Sequence, residues 1–106
     1  MAEIVFTKQA IQDIEDIALY VSIDSVHYAS LEVKKIFKKA ESLELQPSIG
    51  RIVPELKIKS VREVIEGNYR IIYRIVNKDL IHILTVYHSR RQLKPVNLRR
   101  IVKRDK

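Results

Sequence analysis

The sequence lacks cysteine altogether, and its 106 residues include only two glycines and three prolines. Without cysteine there is neither a disulfide nor a thiolate metal site, which suits a reducing compartment. Long apolar runs are also missing, because arginine or histidine interrupts each one before it reaches the length of a membrane span. The first residues do not resemble a secretory signal. We therefore expect a cytoplasmic protein that makes no contact with a membrane.

The remaining composition is that of a globular chain, with 46% hydrophobic and 31% charged residues. A chain of this length buries enough surface for one core without cross-links, so one domain is expected. No internal repeat, low-complexity stretch or domain linker interrupts it. The three histidines are scattered and show no spacing typical of metal ligands, so neither a metal nor another cofactor is expected.

The net charge of +7 is concentrated at one end of the chain. Residues 1–89 contain twelve basic and twelve acidic residues, whereas residues 90–106 contain eight basic residues and only Asp105 on the acidic side. A basic segment of this kind favours an anionic partner, such as nucleic acid, a ribosome or an acidic protein segment. The alternative is a solvated tail that only aids solubility.

Hydrophobic periodicity predicts a strand and two helices in the first half. The strand is expected at Glu3–Phe6, and apolar residues at helical spacing predict helices over Lys8–Ser22 and Val26–Leu45. The short connection between the helices predicts an antiparallel helical hairpin. Its apolar stripes need a partner surface, and Ile36 and Phe37 are expected to be buried there.

The second half has the alternation of strands. A loop is expected at residues 46–51, residues 52–59 are ambiguous, and three strands follow at Ser60–Ile65, Tyr69–Val76 and Leu80–His88. Gly67-Asn68 and residues 77–79 are the expected turns. Pro95 opens either a last basic helix or a loose tail. The predicted fold is α+β, with an N-terminal helical hairpin packed on one face of a mostly antiparallel β-sheet.

Three segments resemble the RelE/ParE family of type II toxin–antitoxin toxins, most closely its ParE branch. They are Ala10–Tyr20, the Pro-x-x-Gly-Arg loop Pro47–Arg51, and the strands around Val61-Arg62-Glu63, Asn68–Arg74 and Val86–Arg91. The resemblance runs from Ile4 to Leu93. We therefore divide the chain into a toxin domain at 1–93 and a basic C-terminal tail at 94–106.

The resemblance implies a toxin and growth inhibitor that a cognate antitoxin with an acidic tail neutralises. It also implies that operator DNA is contacted only through the antitoxin. One branch of the family blocks DNA gyrase without being a catalyst itself, and we expect this activity. The alternatives are a ribosome-dependent mRNA endoribonuclease of the RelE/YoeB type and a non-catalytic nucleic-acid-binding module.

Candidate catalytic residues for the ribonuclease alternative are Glu55, Arg70 and His88, which match by spacing a Glu, an Arg and a His of the YoeB-like nucleases. Metal-free RNA cleavage needs a base for the 2′-hydroxyl, an acid for the leaving oxygen and cations for the phosphate charge. Ser89 stands where those enzymes carry a catalytic tyrosine, and serine cannot stack on a base. That departure favours the gyrase branch, in which His88 is expected to make a local backbone hydrogen bond.

Arg70 and Arg74 are expected on one face of a strand. They either form a phosphate-binding row or pair with Glu63 and Glu66 across the hairpin. The residues expected to bind nucleic acid or the antitoxin are Arg51, Arg62, Arg74, Arg90, Arg91, Arg99 and Arg100.

Overall fold

The computed structural model describes residues 1–91 and 94–105. Its elements, in chain order, are β1 (Glu3–Phe6), α1 (Lys8–Ser22), α2 (Val26–Glu41), a 3-10 turn (Ser42–Glu44), β2 (Arg51–Ile52), β3 (Val61–Glu66), β4 (Tyr69–Asn77), β5 (Leu80–His88) and α3 (Pro95–Arg104). No helix in this described part has both the length and the apolar composition needed to cross a membrane.

The five strands form one sheet in the order β1-β5-β4-β3-β2. β1 runs parallel to β5, and every other neighbouring pair is antiparallel. The chain reaches β5 from β1 through the helical hairpin and then through β2, β3 and β4, which are connected in antiparallel succession. The predicted α+β class with a mostly antiparallel sheet is confirmed.

Four elements differ from the prediction. β3 is Val61–Glu66 and not Ser60–Ile65, and β4 ends at Asn77 and not at Val76. The larger differences concern α2 and β2. α2 ends at Glu41, and the helical path continues only as the 3-10 turn Ser42–Glu44, because the last turn of a helix often tightens when its carbonyls run out of partners. Arg51 and Ile52, expected at the end of a loop and in an ambiguous region, pair with β3 as a short edge strand. Hydrophobic alternation cannot reveal a strand of two residues.

The helical hairpin covers one face of the sheet, as expected. Ile36 is fully buried in the core between the hairpin and the strands. Phe37 is only half-buried, and its ring packs against that of Phe6 with 4.9 Å between ring centres. The predicted burial is therefore confirmed for Ile36 and was too strong for Phe37, which lies at the margin of the core.

One carboxylate fixes the hairpin to the sheet. β1 ends at Phe6, opposite Ile83, so the following part of β5 has no strand partner along that edge. Asp13 of α1 takes that place: it accepts a hydrogen bond from the backbone N–H of Val86 at 3.1 Å and another from the Thr85 hydroxyl. The buried backbone group is thereby satisfied, as such groups nearly always are.

α3 covers the opposite face of the sheet. Leu98 is fully buried and Val102 nearly so, in a second apolar cluster with Ile72 and Leu84. From Pro95 the C-terminal segment forms a helix, which is one of the two expected conformations. Proline is well tolerated at this first position because the first helical N–H needs no partner. The boundary expected after Leu93 lies outside the described residues.

The end of α3 is held by ionic contacts. Asp105, which caps the helix, accepts a hydrogen bond from Nε of Arg74 at 2.9 Å, and Nδ1 of His82 lies 2.9 Å from its other oxygen. Arg74 also donates to the carbonyl of Val102. Arg74 and His82 face each other across β4 and β5, so the helix is tied to both central strands.

We predict that α3 contributes strongly to the stability of the whole chain. Leu98→Ala should lower the free energy of unfolding by about 2–5 kcal/mol, because it leaves a cavity between the helix and the sheet. Val96→Ala on the outer side of the same helix should change it by less than about 0.5 kcal/mol. Urea unfolding measures both. An equally small effect of Leu98→Ala would show that α3 is not packed as described.

Candidate functional site

The turn between β4 and β5 decides which side chains meet at the far end of the sheet. It contains two residues, Lys78 and Asp79, rather than the three expected. Two register shifts follow, one beside Val76 and one beside Leu84, and they cancel. As a result Arg70 lies directly opposite Tyr87.

Arg70 is the centre of an ionic cluster on the α3 side of the sheet. Its two terminal nitrogens donate to the two carboxylate oxygens of Glu55 at 2.9 and 3.1 Å, and it also forms a salt bridge with Glu63. The other oxygen of Glu63 accepts a hydrogen bond from Nε of Arg51 at 2.7 Å. Two arginines and two carboxylates thus alternate in one network, which we call the Arg70 cluster.

Burial makes the Arg70 cluster a structural requirement. The Glu63 side chain is fully buried and that of Arg70 is 12% exposed, so neither charge is stable there without the other. The hydrogen bond from Arg70 lowers the pKa of Glu55, although partial burial of the carboxyl acts in the opposite direction. A carboxylate with a lowered pKa is a poorer proton acceptor than an ordinary glutamate.

Tyr87 completes this region. The guanidinium of Arg70 lies 5.2 Å from the centre of the Tyr87 ring, within the range of a cation–π contact. Burial raises the pKa of Tyr87 to about 12. Its hydroxyl is buried and has no hydrogen-bond partner within residues 1–91 and 94–105. A tyrosine in this state remains protonated at neutral pH and is a poor base.

His88 lies on the opposite face of the sheet. It pairs with Tyr69, and the two rings meet edge to face with 5.5 Å between their centres. Its Nδ1 accepts a hydrogen bond from the backbone N–H of Arg90 at 3.1 Å, the local contact considered from the sequence. Of the three candidate catalytic residues, the fold therefore brings Glu55 and Arg70 together and places His88 apart from them.

The positions of Glu63 and Tyr87 beside Arg70 were only partly predictable from the sequence. Pairing of Arg70 with Glu63 was one of its alternatives and is present, whereas Arg74 pairs with Asp105 and not with Glu66. The sequence did not reveal the length of the turn between β4 and β5, which sets the register of these two strands. Counting from a two-residue turn places Arg70 opposite Tyr87, whereas a three-residue turn does not.

The candidate binding arginines fall into two groups. Arg51 and Arg74 pair with carboxylates, and Arg62 donates to the backbone carbonyls of Lys59, Ser48 and Gly50. The second group is exposed and takes part in no salt bridge within the described ranges; it consists of Arg90, Arg91, Arg99 and Arg100. Within the part of the chain that the structure describes, the guanidinium groups of this second group form no salt bridge and face solvent.

The Pro-x-x-Gly-Arg loop has a clear structural role. The buried hydroxyl of Tyr73 donates to the carbonyl of Pro47 at 2.7 Å and accepts from the backbone N–H of Gly50 at 3.0 Å. A Cβ at Gly50 would lie 2.6 Å from that hydroxyl and 2.6 Å from the carbonyl oxygen of Glu63. Glycine is required because the loop backbone lies directly against β3 and β4.

An apolar surface lies at the end of the hairpin where α1 meets α2. Four large side chains there are between 68% and 80% exposed. These residues, together called the hairpin tip, are Leu19, Tyr20, Ile23 and Val26. Beside them is a groove of about 590 Å³ between α1 and the ends of β4 and β5. Its lining includes apolar and aromatic side chains together with His88, the two carboxylates Asp13 and Asp16, and the two cations Arg90 and Arg91. Exposed apolar surface next to a groove is typical of a protein-binding site.

Among the described residues, no group of three or more histidine, aspartate or glutamate side chains could hold a metal ion. Three kinds of surface are present in this region. They are the Arg70 cluster, whose charges neutralise one another, the apolar hairpin tip with its groove, and the exposed cations that follow β5.

We predict unequal effects of removing the two arginines that contact Glu63. Arg70→Ala leaves the buried carboxylate without its main partner and should lower the free energy of unfolding by about 3–5 kcal/mol. Arg51→Ala removes a partner whose side chain is 66% exposed, so the loss should be about 0–1 kcal/mol. Chemical denaturation of both variants at neutral pH tests this. Equal losses would mean that Arg70 is not the internal counter-ion of Glu63.

A family model described as the ParE toxin of the type II toxin–antitoxin system parDE matches residues 4–93. No curated protein matches the chain. Among solved structures, the chain is similar to one from the chromosomal ParDE toxin–antitoxin system of P. aeruginosa. That match has a TM-score of 0.67 and 22% identity, and it covers 83% of this chain and 96% of the other.

The fold is also similar to a structure from the RelBE2 toxin–antitoxin complex of Mycobacterium tuberculosis. Here the TM-score is 0.60 and the identity 20%, over 82% of this chain and 96% of the other. These two similarities support the fold, whereas the family match covers most of the sequence. The chain belongs to the ParE toxin family of type II toxin–antitoxin systems.

Proposed function

We propose that this toxin inhibits growth by binding DNA gyrase in the cytoplasm and does not cleave messenger RNA. The antitoxin that neutralises it presents an acidic, amphipathic segment. The observation that carries the choice of target is the separation of Glu55 and Arg70 from His88 by the thickness of the sheet.

RNA cleavage without a metal requires a base, an acid and a phosphate-binding cation around one phosphate. Here Arg70 is occupied by Glu55 and Glu63, and a phosphate would have to displace a carboxylate from a largely buried site. The same hydrogen bonds make Glu55 a weaker base. His88 lies on the other face of the sheet, where its Nδ1 accepts a hydrogen bond from the backbone N–H of Arg90. This geometry favours inhibition by protein–protein contact over catalysis.

Binding of the antitoxin is best supported at the hairpin tip and the adjoining groove. An amphipathic segment needs an apolar surface for one side and complementary charge for the other. Ile23 and Val26 supply exposed apolar surface, and Arg90 and Arg91 at the margin of the groove supply positive charge. An acidic segment that crosses the tip and ends beside these arginines would satisfy both requirements.

The choice of target is tested with two assays on the same preparation of toxin. We predict that the chain inhibits DNA supercoiling by gyrase and leaves messenger RNA intact in a ribosome-programmed cleavage assay. His88→Ala should keep the inhibition of supercoiling, as should His27→Ala, a matched control on the exposed side of α2. RNA cleavage that disappears in His88→Ala but persists in His27→Ala would establish the ribonuclease instead. His88 is the better probe than Arg70, whose removal destabilises the fold.

The antitoxin surface is tested with charged substitutions at exposed apolar positions. Ile23→Asp combined with Val26→Asp should weaken the complex with the cognate antitoxin at least about tenfold, because a charge is placed where apolar contacts form and acidic residues approach. Leu45→Asp is the control for an added charge, since Leu45 is 76% exposed but lies beyond the other end of α2, after the 3-10 turn. Titration calorimetry measures the affinities. If the double variant and Leu45→Asp weaken the affinity for the antitoxin equally, or if neither weakens it, the proposed surface is contradicted.

A further inference from the structure

The outer side of α3 carries a concentrated positive charge that the proposed function does not use. Residues Arg99, Arg100, Lys103 and Arg104 are all exposed, and we call them the α3 basic face. No salt bridge within the described residues involves any of them. Asp105, the single acidic residue of the segment, is turned inward to Arg74 and His82.

Helical spacing arranges the α3 basic face in two rows. Arg99 and Lys103 are four positions apart, as are Arg100 and Arg104, so the charges within each row lie close together on the helix surface. Like charges at this spacing destabilise a helix. The C-terminal end of the helix dipole compensates for Lys103 and Arg104, but it does not reach Arg99 and Arg100 in the middle. The helix therefore gains no stability from this arrangement of charges.

The helix that carries these charges is rigidly held. Leu98 and Val102 are buried against the sheet, and Asp105 closes the far end of the helix on Arg74. The four cations thus project together from about 9 Å of the helix, the length that the six residues 99–104 span. Such a surface presents its charges together without the entropy loss of ordering a loose tail.

We propose that the α3 basic face binds the phosphate backbone of double-stranded DNA. This function goes beyond inhibition of gyrase, and it adds a direct contact of the toxin with DNA, without base recognition, to the operator contact expected through the antitoxin. DNA offers one negative charge per about 1.7 Å of helix axis, so a short helix meets several phosphates at once. Arginine, which supplies three of the four cations, can donate two hydrogen bonds to one phosphate.

An acidic protein segment is the competing partner, and the surface fits it less well. Stable docking of a peptide needs an apolar centre as well as charge. Apart from Val96 near the start of the helix, the large side chains on the outer side of α3 are polar, whereas the hairpin tip carries four neighbouring apolar side chains that are each at least 68% exposed. Contacts to phosphates need only cations and hydrogen-bond donors. The chain thus separates an apolar surface for a protein from a basic surface for nucleic acid.

The test measures binding of the full-length toxin to a fluorescent mixed-sequence DNA duplex by anisotropy at several salt concentrations. Four phosphate contacts predict a slope of log affinity against log salt of about −3 to −4, and so roughly a hundredfold loss between 50 and 200 mM salt. Substituting all four cations of the α3 basic face with glutamine should remove most of this binding. Arg99→Gln or Arg100→Gln alone should each reduce the slope by about 1.

The matched control removes the same number of charges from another helix. It replaces four lysines on the solvent side of α2 with glutamine: Lys34, Lys35, Lys38 and Lys39. Retained binding in this variant, with loss in the α3 variants, supports the proposal. Equal loss in both sets would mean that only net charge matters and would overturn it. So would an absence of DNA binding by the unaltered toxin at low salt.

The same experiment tests the competing partner, an acidic protein segment. The probe is a polyglutamate peptide with the same net charge as the DNA duplex. Displacement of the DNA only at large excess agrees with the proposal, whereas tighter binding of the peptide than of DNA contradicts it. The single substitutions are at exposed positions, so thermal melting should show unchanged stability and exclude misfolding. Because gyrase is not present, the result is independent of whether gyrase is the target.

Discussion

The two central strands, β4 and β5, carry buried apolar side chains on both faces, and both faces must therefore be covered. Ile71 and Ile83 face the helical hairpin, whereas Ile72 and Leu84 face the other way. The hairpin can cover only one side. α3 is needed for the second, and its position at the end of the chain places the most basic segment of the sequence against the sheet. The folding requirement thus determines which charges are turned inward and which remain outside.

This constraint separates the arginines by role. Those on the strands and the adjoining loop lie beside buried or partly buried carboxylates and carbonyls, so they serve the fold. Arg70 compensates Glu63, and Arg74 fixes the end of α3 through Asp105. The cations beyond β5 have no such partners among the described residues and face solvent. In this toxin, a basic motif on a strand is a poor guide to an anion-binding site, because its arginines are paired with carboxylates of the chain itself.

Much of the fold could be predicted because periodicity is a local property. The helical stripes of α1 and α2 and the alternation of β4 follow from spacing alone, and so does the face shared by Tyr69 and Tyr73. The relation between Arg70 and its neighbour on β5 could not be read in this way, since it depends on whether the turn has two or three residues and on two compensating register shifts. The docking of α3 and the pairing of Asp105 are long-range contacts with no local pattern. Consequently the hairpin, the strands and part of the Arg70 cluster were predictable, whereas the docking of α3 and the contact of Arg70 with Tyr87 were not.

The central claim is that Arg70 and Arg74 act as internal counter-ions and not as ligands for RNA. Nuclear magnetic resonance of the arginine Nε–H groups, recorded while a non-cleavable 2′-O-methyl RNA is added, tests it most directly. The account predicts that the Arg70 and Arg74 signals exchange slowly with solvent and keep their positions throughout the titration. Displacement of the Arg70 signal together with the ring signals of His88, saturating at one RNA per toxin, would contradict it, because both residues would then belong to one RNA-binding site.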